Sequence, residues 1–314
     1  MNIFKEARFH DETAAREWFE AARWPNGPIC PHCRSERHYP TKIIGRHRCA
    51  DKACRKDFTV TTGTVMERSH APLTHWAVAF TMGCASKKGF SAHQLHRQLG
   101  CQYKTAWFLH HRVMEAMREG GLDVSPMGGE GKIVEMDETY FGNPETPRTK
   151  THYGAPYRFK KHQQKRPIVS LVERGGRVRS FHVPRADKAT VTRIVNDNLR
   201  YETRLMTDEA KIYHYIGDHV ASHESIQHSK EEYVRGDVHT NSVEGYFSVF
   251  KRGMRGVYQH CSEKHLHRYL AEFDFRFNRR ASLGWTDEQR TIAAVKAAEG
   301  KRLTYHQPRK IQVV

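Results

Sequence analysis

Three acidic side chains occupy positions in this sequence where carboxylates could bind metal ions. Asp137 ends an apolar run that begins at Ile133, and Asp208 ends the run Leu205–Thr207. Glu244 lies near the start of a predicted helix, with 35 residues between it and Asp208. Carboxylate oxygens suit Mg²⁺ or Mn²⁺, and two such ions about 3.5–4 Å apart can stabilise the attacking and leaving oxygens of a phosphodiester. The three acids therefore predict a site with two Mg²⁺ (or Mn²⁺) ions that breaks or forms phosphodiester bonds.

A lysine and three charged residues further along the chain extend this candidate site. Lys251 follows Glu244 by seven residues, which is two helical turns, so the two side chains share one helix face. Lys251 is therefore expected to bind a phosphate near the metal ions. Glu272, Arg276 and Arg279 are spaced at i, i+4 and i+7 on a later predicted helix. This spacing fits an intrahelical ladder of ion pairs, or a set of side chains that supports the site or the bound strand.

Four of the seven cysteines form a pattern that is typical of zinc ligands. Cys30 and Cys33 are followed by fifteen residues and then by Cys49 and Cys54. Two such pairs can supply four thiolates to a tetrahedral Zn²⁺ ion, as in a zinc ribbon, whose small core makes folding depend on the metal. The second pair is more widely spaced than usual, so His47 is an alternative ligand, and four free buried thiols are the alternative without metal. The pattern predicts one structural Zn²⁺ ion.

The excess of basic residues predicts a polyanionic partner. The chain has 314 residues, enough for two or three domains, and carries 52 Lys plus Arg against 35 Asp plus Glu, a net charge of +17. We find no apolar run of about 18 residues and no signal-peptide core in the sequence. We therefore expect a nucleic acid rather than a membrane as the partner, and a cytoplasmic location. The alternative is a basic soluble protein without such a partner.

Two predicted helices before residue 120 resemble a helix-turn-helix. Ser91 is a candidate N-cap for the first helix, and Gly100 occupies the turn, where a left-handed backbone is needed. The second helix begins with Tyr103, Lys104 and Thr105, at the position where a recognition helix contacts base edges. These three residues are therefore predicted to bind DNA. The alternative is an ordinary helical hairpin that packs the ribbon onto the following domain.

Beyond residue 132 the apolar pattern predicts a mixed sheet with flanking helices. Strands are predicted at Ile133–Phe141, Pro167–Glu173, Arg177–Val183, Arg204–Thr207 and Val220–Ile226, and helices at Ala189–Leu199, Ala210–Ile216, Val243–Phe250 and Leu266–Arg280. Three strands come first, and helices and strands then alternate. This order predicts an α/β domain with a ribonuclease H-like mixed sheet flanked by helices.

A basic and aromatic stretch interrupts this domain between residues 143 and 166. Basic side chains suit phosphate contacts and aromatic rings suit base stacking, so Lys160 and Lys161 are predicted to bind DNA, as is Arg252 further on. The alternative is a solvated insertion.

The order of these features predicts five segments along the chain. They are an N-terminal helical segment (1–28), the zinc ribbon (29–62), the helix-turn-helix-like region (70–120), the catalytic domain (130–282) and a C-terminal helix with a tail (283–314).

Taken together, these motifs resemble those of bacterial insertion-sequence transposases with an ISXO-like DDE domain preceded by a transposase zinc ribbon. The resemblance covers roughly residues 10–280. It is carried by the four clustered cysteines, Leu99-Gly100, Lys104–Trp107, Glu135–Tyr140, Met206–Asp208, His239–Gly245, Lys251–Gly253, and Glu272 with Arg276–Arg279.

The resemblance implies an enzyme that cleaves DNA at the ends of an insertion sequence and joins the freed 3′-OH to target DNA. It also implies recognition of terminal inverted repeats and assembly of a homo-oligomer on DNA. In this family the third catalytic residue is Glu or Asn, followed by Lys, so Asn241 is an alternative to Glu244. Glu244 is favoured for its charge, its spacing and its phase with Lys251.

Two other classes of function are compatible with the same features. One is a DNA-binding regulator in which the ribbon and helix pair bind DNA and the carboxylates are relict. The other is a ribonuclease H-like nuclease that cleaves strands without joining them.

Overall fold

The structure, a computed structural model, describes residues 5–118, 125–142, 166–227 and 234–303, which form two units. The first unit contains residues 5–86, 90–118 and 286–303, and the second contains the remaining described residues. The helices are α1 (Glu12–Arg23), α2 (Leu73–Ala85), α3 (Ala92–Leu99), α4 (Tyr103–Met117), α5 (Lys188–Asn198), α6 (Asn241–Gly253), α7 (Leu266–Asn278) and α8 (Asp287–Ala297). The strands are β1 (His38–Pro40), β2 (His47–Cys49), β3 (Asp57–Phe58), β4 (Ile133–Phe141), β5 (Arg166–Glu173), β6 (Val178–His182), β7 (Arg204–Thr207) and β8 (Ser222–Ser225).

The first unit combines a small three-stranded sheet with five helices. Strands β1, β2 and β3 pair in an antiparallel manner, and the ring of Phe58 is buried edge-on against Trp24 at 5.9 Å. Helix α1 begins after Asp11, whose side chain accepts a hydrogen bond from the Ala14 amide at 2.7 Å. Its apolar face buries Phe19, and α8, the last helix of the described residues, packs against α1, α2 and α4.

The second unit is built on a five-stranded sheet with the order β6-β5-β4-β7-β8. Strands β4, β5 and β6 form an antiparallel meander, whereas β7 and β8 run parallel to β4. This order and these directions confirm the predicted mixed sheet of the ribonuclease H-like type.

Strand side chains alternate between the two faces of this sheet, and helices cover both faces. Met136 and Leu171 belong to an apolar core that includes Val191 and Val195 of α5. Their neighbours Glu135 and Ser170 lie on the opposite face, where α6 packs against β4 and β5. Helix α7 packs against β6 and covers this edge strand, since the Asn278 side chain accepts from the Val178 amide at 2.6 Å.

One predicted helix of this unit is wrong. The segment Ala210–Ile216 forms only a short 3₁₀ turn at Lys211–Tyr213. The Asp208 carboxylate accepts a hydrogen bond from the Ala210 amide at 3.0 Å, which favours a local turn over a helix, and the Tyr213 side chain is buried in the sheet core.

Two further sequence-based expectations concern membranes and the basic stretch. Among the described residues, every helix is too short or too polar to cross a bilayer. Lys160 and Lys161 lie outside the described residues.

Candidate active site and cysteine cluster

The sheet register brings the two predicted aspartates to the same part of the domain. In the parallel pair formed by β4 and β7, Glu135 lies opposite Met206. Asp137 and Asp208 each follow this pair by two residues, so both lie at the level of the carboxyl end of β7, where Asp137 still pairs with Ser170 of β5. Glu244 lies in the first turn of α6, the helix that packs on β4.

The electrostatics of Asp137 indicate that all three predicted acids share one neighbourhood. Burial and, after it, the charges of Asp208, Glu138 and Glu244 together raise the pKa of Asp137 to about 8. The pKa of Glu138 is also raised, chiefly by burial and in part by the charge of Asp208. The Tyr213 hydroxyl donates a hydrogen bond to Glu138. Glu138 therefore adds a fourth acid to the predicted set.

Each of the three predicted acids is held by a short-range hydrogen bond. Asp137 accepts from the Glu138 amide at 2.7 Å, and Asp208 accepts from the Ala210 amide at 3.0 Å. The Glu244 carboxylate accepts from the Thr240 hydroxyl at 3.0 Å. One oxygen of each carboxylate is thereby oriented before any ligand binds.

The donor set fits hard divalent cations. Crowded carboxylates disfavour their own charged forms unless a cation compensates them, and oxygen ligands suit Mg²⁺ and Mn²⁺. Among the described residues, only the four clustered cysteines form a group of three or more whose ligand atoms all lie within 4.8 Å of one another. Several carboxylates together can hold two such ions about 3.5–4 Å apart.

The remaining predicted residues of α6 lie along the same helix. Lys251 is half-buried two turns after Glu244, which is about 10 Å along the axis. Asn241 is the exposed first residue of the helix. Arg252 is exposed, and its guanidinium donates to the Ser248 hydroxyl at 2.8 Å.

The supporting set on α7 takes part in packing. Glu272 is fully buried, forms an ion pair with Arg276 and accepts a hydrogen bond from the Tyr258 hydroxyl at 2.6 Å. The Arg279 guanidinium lies over the Phe275 ring at 4.1 Å from its centroid. These contacts hold the segment after α6 against α7.

Sequence reasoning gave no role to several polar residues near the acids. Asp274 of α7 accepts hydrogen bonds from the Ser180 amide at 2.9 Å and from the Tyr246 hydroxyl at 2.5 Å. Glu135 and Arg174 form a partly buried ion pair between β4 and the end of β5. The available signal was a charged residue inside an apolar strand, as Glu135 is.

The four cysteines meet as a tetrahedral site requires. The sulfur atoms of Cys30 and Cys54 are 3.8 Å apart, and those of Cys33 and Cys49 are 3.5 Å apart. Four sulfurs at about 2.3 Å from one zinc ion would be separated by about 3.8 Å. The donor set therefore fits Zn²⁺. The ring of His47 packs instead against Phe58, at 5.5 Å between centroids.

The two cysteine turns close in the same way despite their different lengths. The Cys30 amide donates to the Ser35 carbonyl at 2.9 Å, and the Cys49 amide donates to the Lys56 carbonyl at 3.0 Å. In both turns the residue after the second cysteine is an arginine with a left-handed backbone, with φ of 64° at Arg34 and 48° at Arg55. The longer second spacing is thus accommodated within its turn.

The helix pair has the predicted geometry. The Ser91 hydroxyl caps α3 by accepting from the Gln94 amide at 3.1 Å, and Gly100 ends the helix with φ of 61°. Tyr103 is 42% exposed and stacks on His93 at 4.3 Å. Lys104 is exposed and Thr105 is half-buried, whereas the second half of α4 is buried. The first turn of α4 is therefore the part of this helix that is open to a partner.

Comparisons with known proteins cover both parts of the chain. Residues 128–278 match the family described as the ISXO2-like transposase domain, and residues 10–57 match the transposase zinc-ribbon domain. The chain is 31% identical, over 284 residues, to an uncharacterized protein in transposable element ISH50 of Halobacterium salinarum. The aligned region covers 85% of this chain and 91% of that relative. The two family matches include the three acids and the four cysteines.

Proposed function

The chain belongs to the transposase family of the ISXO2-like domain, and from this premise we propose that it is a DDE-type transposase. In this proposal the protein cleaves DNA strands at the ends of an insertion sequence and joins the freed 3′-OH to target DNA. The observation that carries the proposal is the convergence of Asp137 with Asp208 and Glu244: burial, and after it the charges of these neighbours, disfavour the ionised form of Asp137.

The proposed chemistry is two successive displacements at phosphorus in one site. In cleavage, a water oxygen bonds to the phosphorus at the element end, and the bond to the 3′ oxygen breaks to leave a 3′-OH. In joining, that 3′-OH bonds to a target phosphorus, and the target 3′ oxygen leaves. Two bound Mg²⁺ or Mn²⁺ ions would supply Lewis-acid stabilisation of the attacking and leaving oxygens.

The protein's own residues would bind and orient the reactants. Asp137, Asp208 and Glu244 hold the cations, with Asn241 as the alternative third ligand. Lys251 binds a phosphate of the strand, and Glu272, Arg276 and Arg279 brace the helices behind it. Attack by water and then by the 3′-OH requires no covalent intermediate with the protein.

DNA is the proposed partner of both units. Tyr103, Lys104 and Thr105 would contact element ends at the start of α4, and Arg252 would bind the backbone near the acids. Zn²⁺ on Cys30, Cys33, Cys49 and Cys54 would hold the ribbon in shape. An element has two ends, so we propose a homo-oligomer on DNA, with the nucleoid as its location.

The test is Mg²⁺-dependent cleavage and joining of element ends by the purified protein, with Glu244→Ala and Asn241→Ala in parallel. We expect both activities in the unmodified protein and their loss in Glu244→Ala, with DNA binding retained. Loss only in Asn241→Ala would assign the third ligand to Asn241. Cleavage without joining of pre-cleaved ends would indicate a nuclease. Binding without either reaction would support the regulator.

A further inference from the structure

The three elements that carry the acids meet at one ion pair, whose carboxylate is fully buried. Glu135 of β4 is fully buried, and its carboxylate accepts a hydrogen bond from Arg174 Nε at 2.6 Å. Arg174 lies directly after β5, at the turn of the β5–β6 hairpin. Neither residue is one of the acids proposed to bind the cations.

Glu135 caps the start of α6 from a different element. The first amides of a helix have no partner within the helix, and the N-cap residue Thr240 makes no capping hydrogen bond through its side chain. Glu135 Oε2 accepts from the Ser242 amide at 2.7 Å and from the Val243 amide at 3.1 Å. Its Oε1 accepts from the Ser242 hydroxyl at 3.0 Å. A carboxylate at this end of a helix is also favoured by the helix dipole.

Arg174 connects Glu135 to β7 and to the segment before α6. Its Nη2 lies 3.0 Å from the Met206 sulfur and donates to the His239 carbonyl at 2.9 Å. Its Nη1 donates to the Asp237 carbonyl at 2.7 Å. One guanidinium therefore holds β4, β7 and the entry to α6 together.

In each of the three elements, the contacting residue lies two residues before an acid. Glu135 precedes Asp137 by two residues, Met206 precedes Asp208 by two, and Ser242 precedes Glu244 by two. Two residues of strand span about 7 Å, so Glu135 and Met206 lie about that far along their strands from Asp137 and Asp208. Metal sites need their ligands held to about 0.5 Å.

We propose that Glu135 and Arg174 are positioning residues that set the register of α6 against β4 and β7. They thereby fix the distance of Glu244 from Asp137 and Asp208. This proposal rests on the proposed function, because it takes those acids as the ligands of divalent cations.

The test uses Mn²⁺ as the probe on the full-length protein without DNA. The variants are Glu135→Gln, which keeps the shape of the side chain, and Arg174→Lys, which keeps its charge. Ser242→Ala removes only one hydroxyl and is the mildest change. Glu224→Gln is the matched control, because Glu224 of β8 accepts from Arg204 Nε at 2.7 Å in the same sheet.

We expect Glu135→Gln and Arg174→Lys to weaken Mn²⁺ affinity by about ten-fold or more, as loss of residues that orient metal ligands usually does. Hydrogen exchange should accelerate at residues 241–244 but not at residues 248–252, and higher Mn²⁺ concentrations should restore cleavage. Glu224→Gln should match the unmodified protein in affinity and exchange.

Folded variants with unchanged Mn²⁺ affinity and unchanged exchange at residues 241–244 would overturn the proposal. If Glu135→Gln does not fold, Arg174→Lys and Ser242→Ala decide the matter by the same two measurements. Failure of the proposed function is distinguishable: the unmodified protein would then bind Mn²⁺ but leave DNA ends intact. In that case the effect of the variants on Mn²⁺ affinity still judges the positioning role.

Discussion

At the scale of single residues, Asp137 shows what it costs to gather carboxylates in a partly buried site. Its pKa is raised to about 8, first by burial and then by Asp208, Glu138 and Glu244, from an ordinary value near 4. A folded-state pKa above the unfolded value means that the folded protein holds this proton more tightly. Ionisation of Asp137 therefore destabilises the folded state, and bound cations would remove that penalty.

The resulting prediction concerns Asp137→Asn in metal-free buffer. Below about pH 4 the carboxyl is protonated in both states and contributes nothing. Its unfavourable contribution grows as the pH rises from there to about 8 and is constant above. Asp137→Asn should therefore melt at a higher temperature than the unmodified protein at pH 8, and the difference should shrink towards pH 5.

Differential scanning calorimetry at several pH values checks this prediction, with Asp197→Asn on the exposed side of α5 as the control. Mg²⁺ should stabilise the unmodified protein at pH 8 but not Asp137→Asn. A melting difference that does not change with pH would contradict the assigned cause.

The sequence predicted the acids but not what holds them. Asp137 follows an apolar run within β4, Asp208 directly follows β7, and Glu244 lies in the first turn of α6. Such positions can be read from local patterns. Glu135 bonds to Ser242 across 107 residues, and no local spacing indicates such a contact. Glu138 belongs to the segment Glu135–Tyr140, which carries part of the family resemblance. Its contact with Tyr213 depends on the turn at Lys211–Tyr213, which the sequence wrongly predicted as a helix.

At the scale of elements, the cysteine ribbon has little to hold it besides its metal site. Its strands contain two or three residues each, and Phe58 is its main buried ring. Structural zinc contributes about 10–16 kcal/mol in comparably small zinc-finger peptides. The ribbon therefore depends on its ligands far more than the sheet domain does.

We predict one zinc ion per chain and its loss in Cys54→Ser. Without zinc, residues 29–62 should become sensitive to protease while β4 and β5 stay protected. Metal analysis and limited proteolysis measure both effects. Cys101→Ser, which changes a cysteine outside the cluster, is the control and should keep its zinc. Full zinc content in Cys54→Ser would assign the fourth ligand elsewhere, with His47 the first candidate.

The start of α4 carries a second prediction at this scale. Lys104→Ala should weaken binding to element ends and reduce the slope of log affinity against log salt concentration by about one, as loss of one phosphate contact does. Tyr103→Ala should instead change the preference among end sequences, if the ring contacts bases. Filter binding at several salt concentrations checks both variants. Lys296→Ala, which removes an exposed charge from α8, is the control; an equal loss there would point to general charge effects.

Elements were predicted best where periodicity is strong. The bounds of β4 and β7 match the predicted strands; Gly142 follows β4, and Asp208 and Glu209 follow β7. The segment around Lys211 failed because the hydrogen bond from the Ala210 amide to Asp208 competes locally with a helix. The parallel pairing of β4 with β7 could not be read from either strand alone. Only the order of strands and helices along the chain indicated a mixed sheet.

At the scale of the whole molecule, the described residues 286–303, which include α8, belong to the first unit. Helix α8 supplies the buried residues Ala294 and Val295. Glu288 accepts from Arg8 at 2.7 and 2.8 Å and from the Trp18 indole at 2.9 Å. The sequence grouped this helix with a C-terminal tail, because its many charged residues conceal the buried face.

The packing of α8 in the first unit predicts the effect of removing residues 286–314. Without α8, buried faces of α1 and α2 would be exposed to water, and Arg8 would lose its carboxylate partner; burying even one large apolar side chain is worth about 1.5–3 kcal/mol. Hydrogen exchange should therefore accelerate throughout α1 and α2, while β4 and β5 remain protected, because their core is formed by α5. The control is Lys296→Ala, which leaves α8 in place and should not alter exchange. Unchanged protection of α1 and α2 in the truncated chain would show that the first unit folds without its last helix.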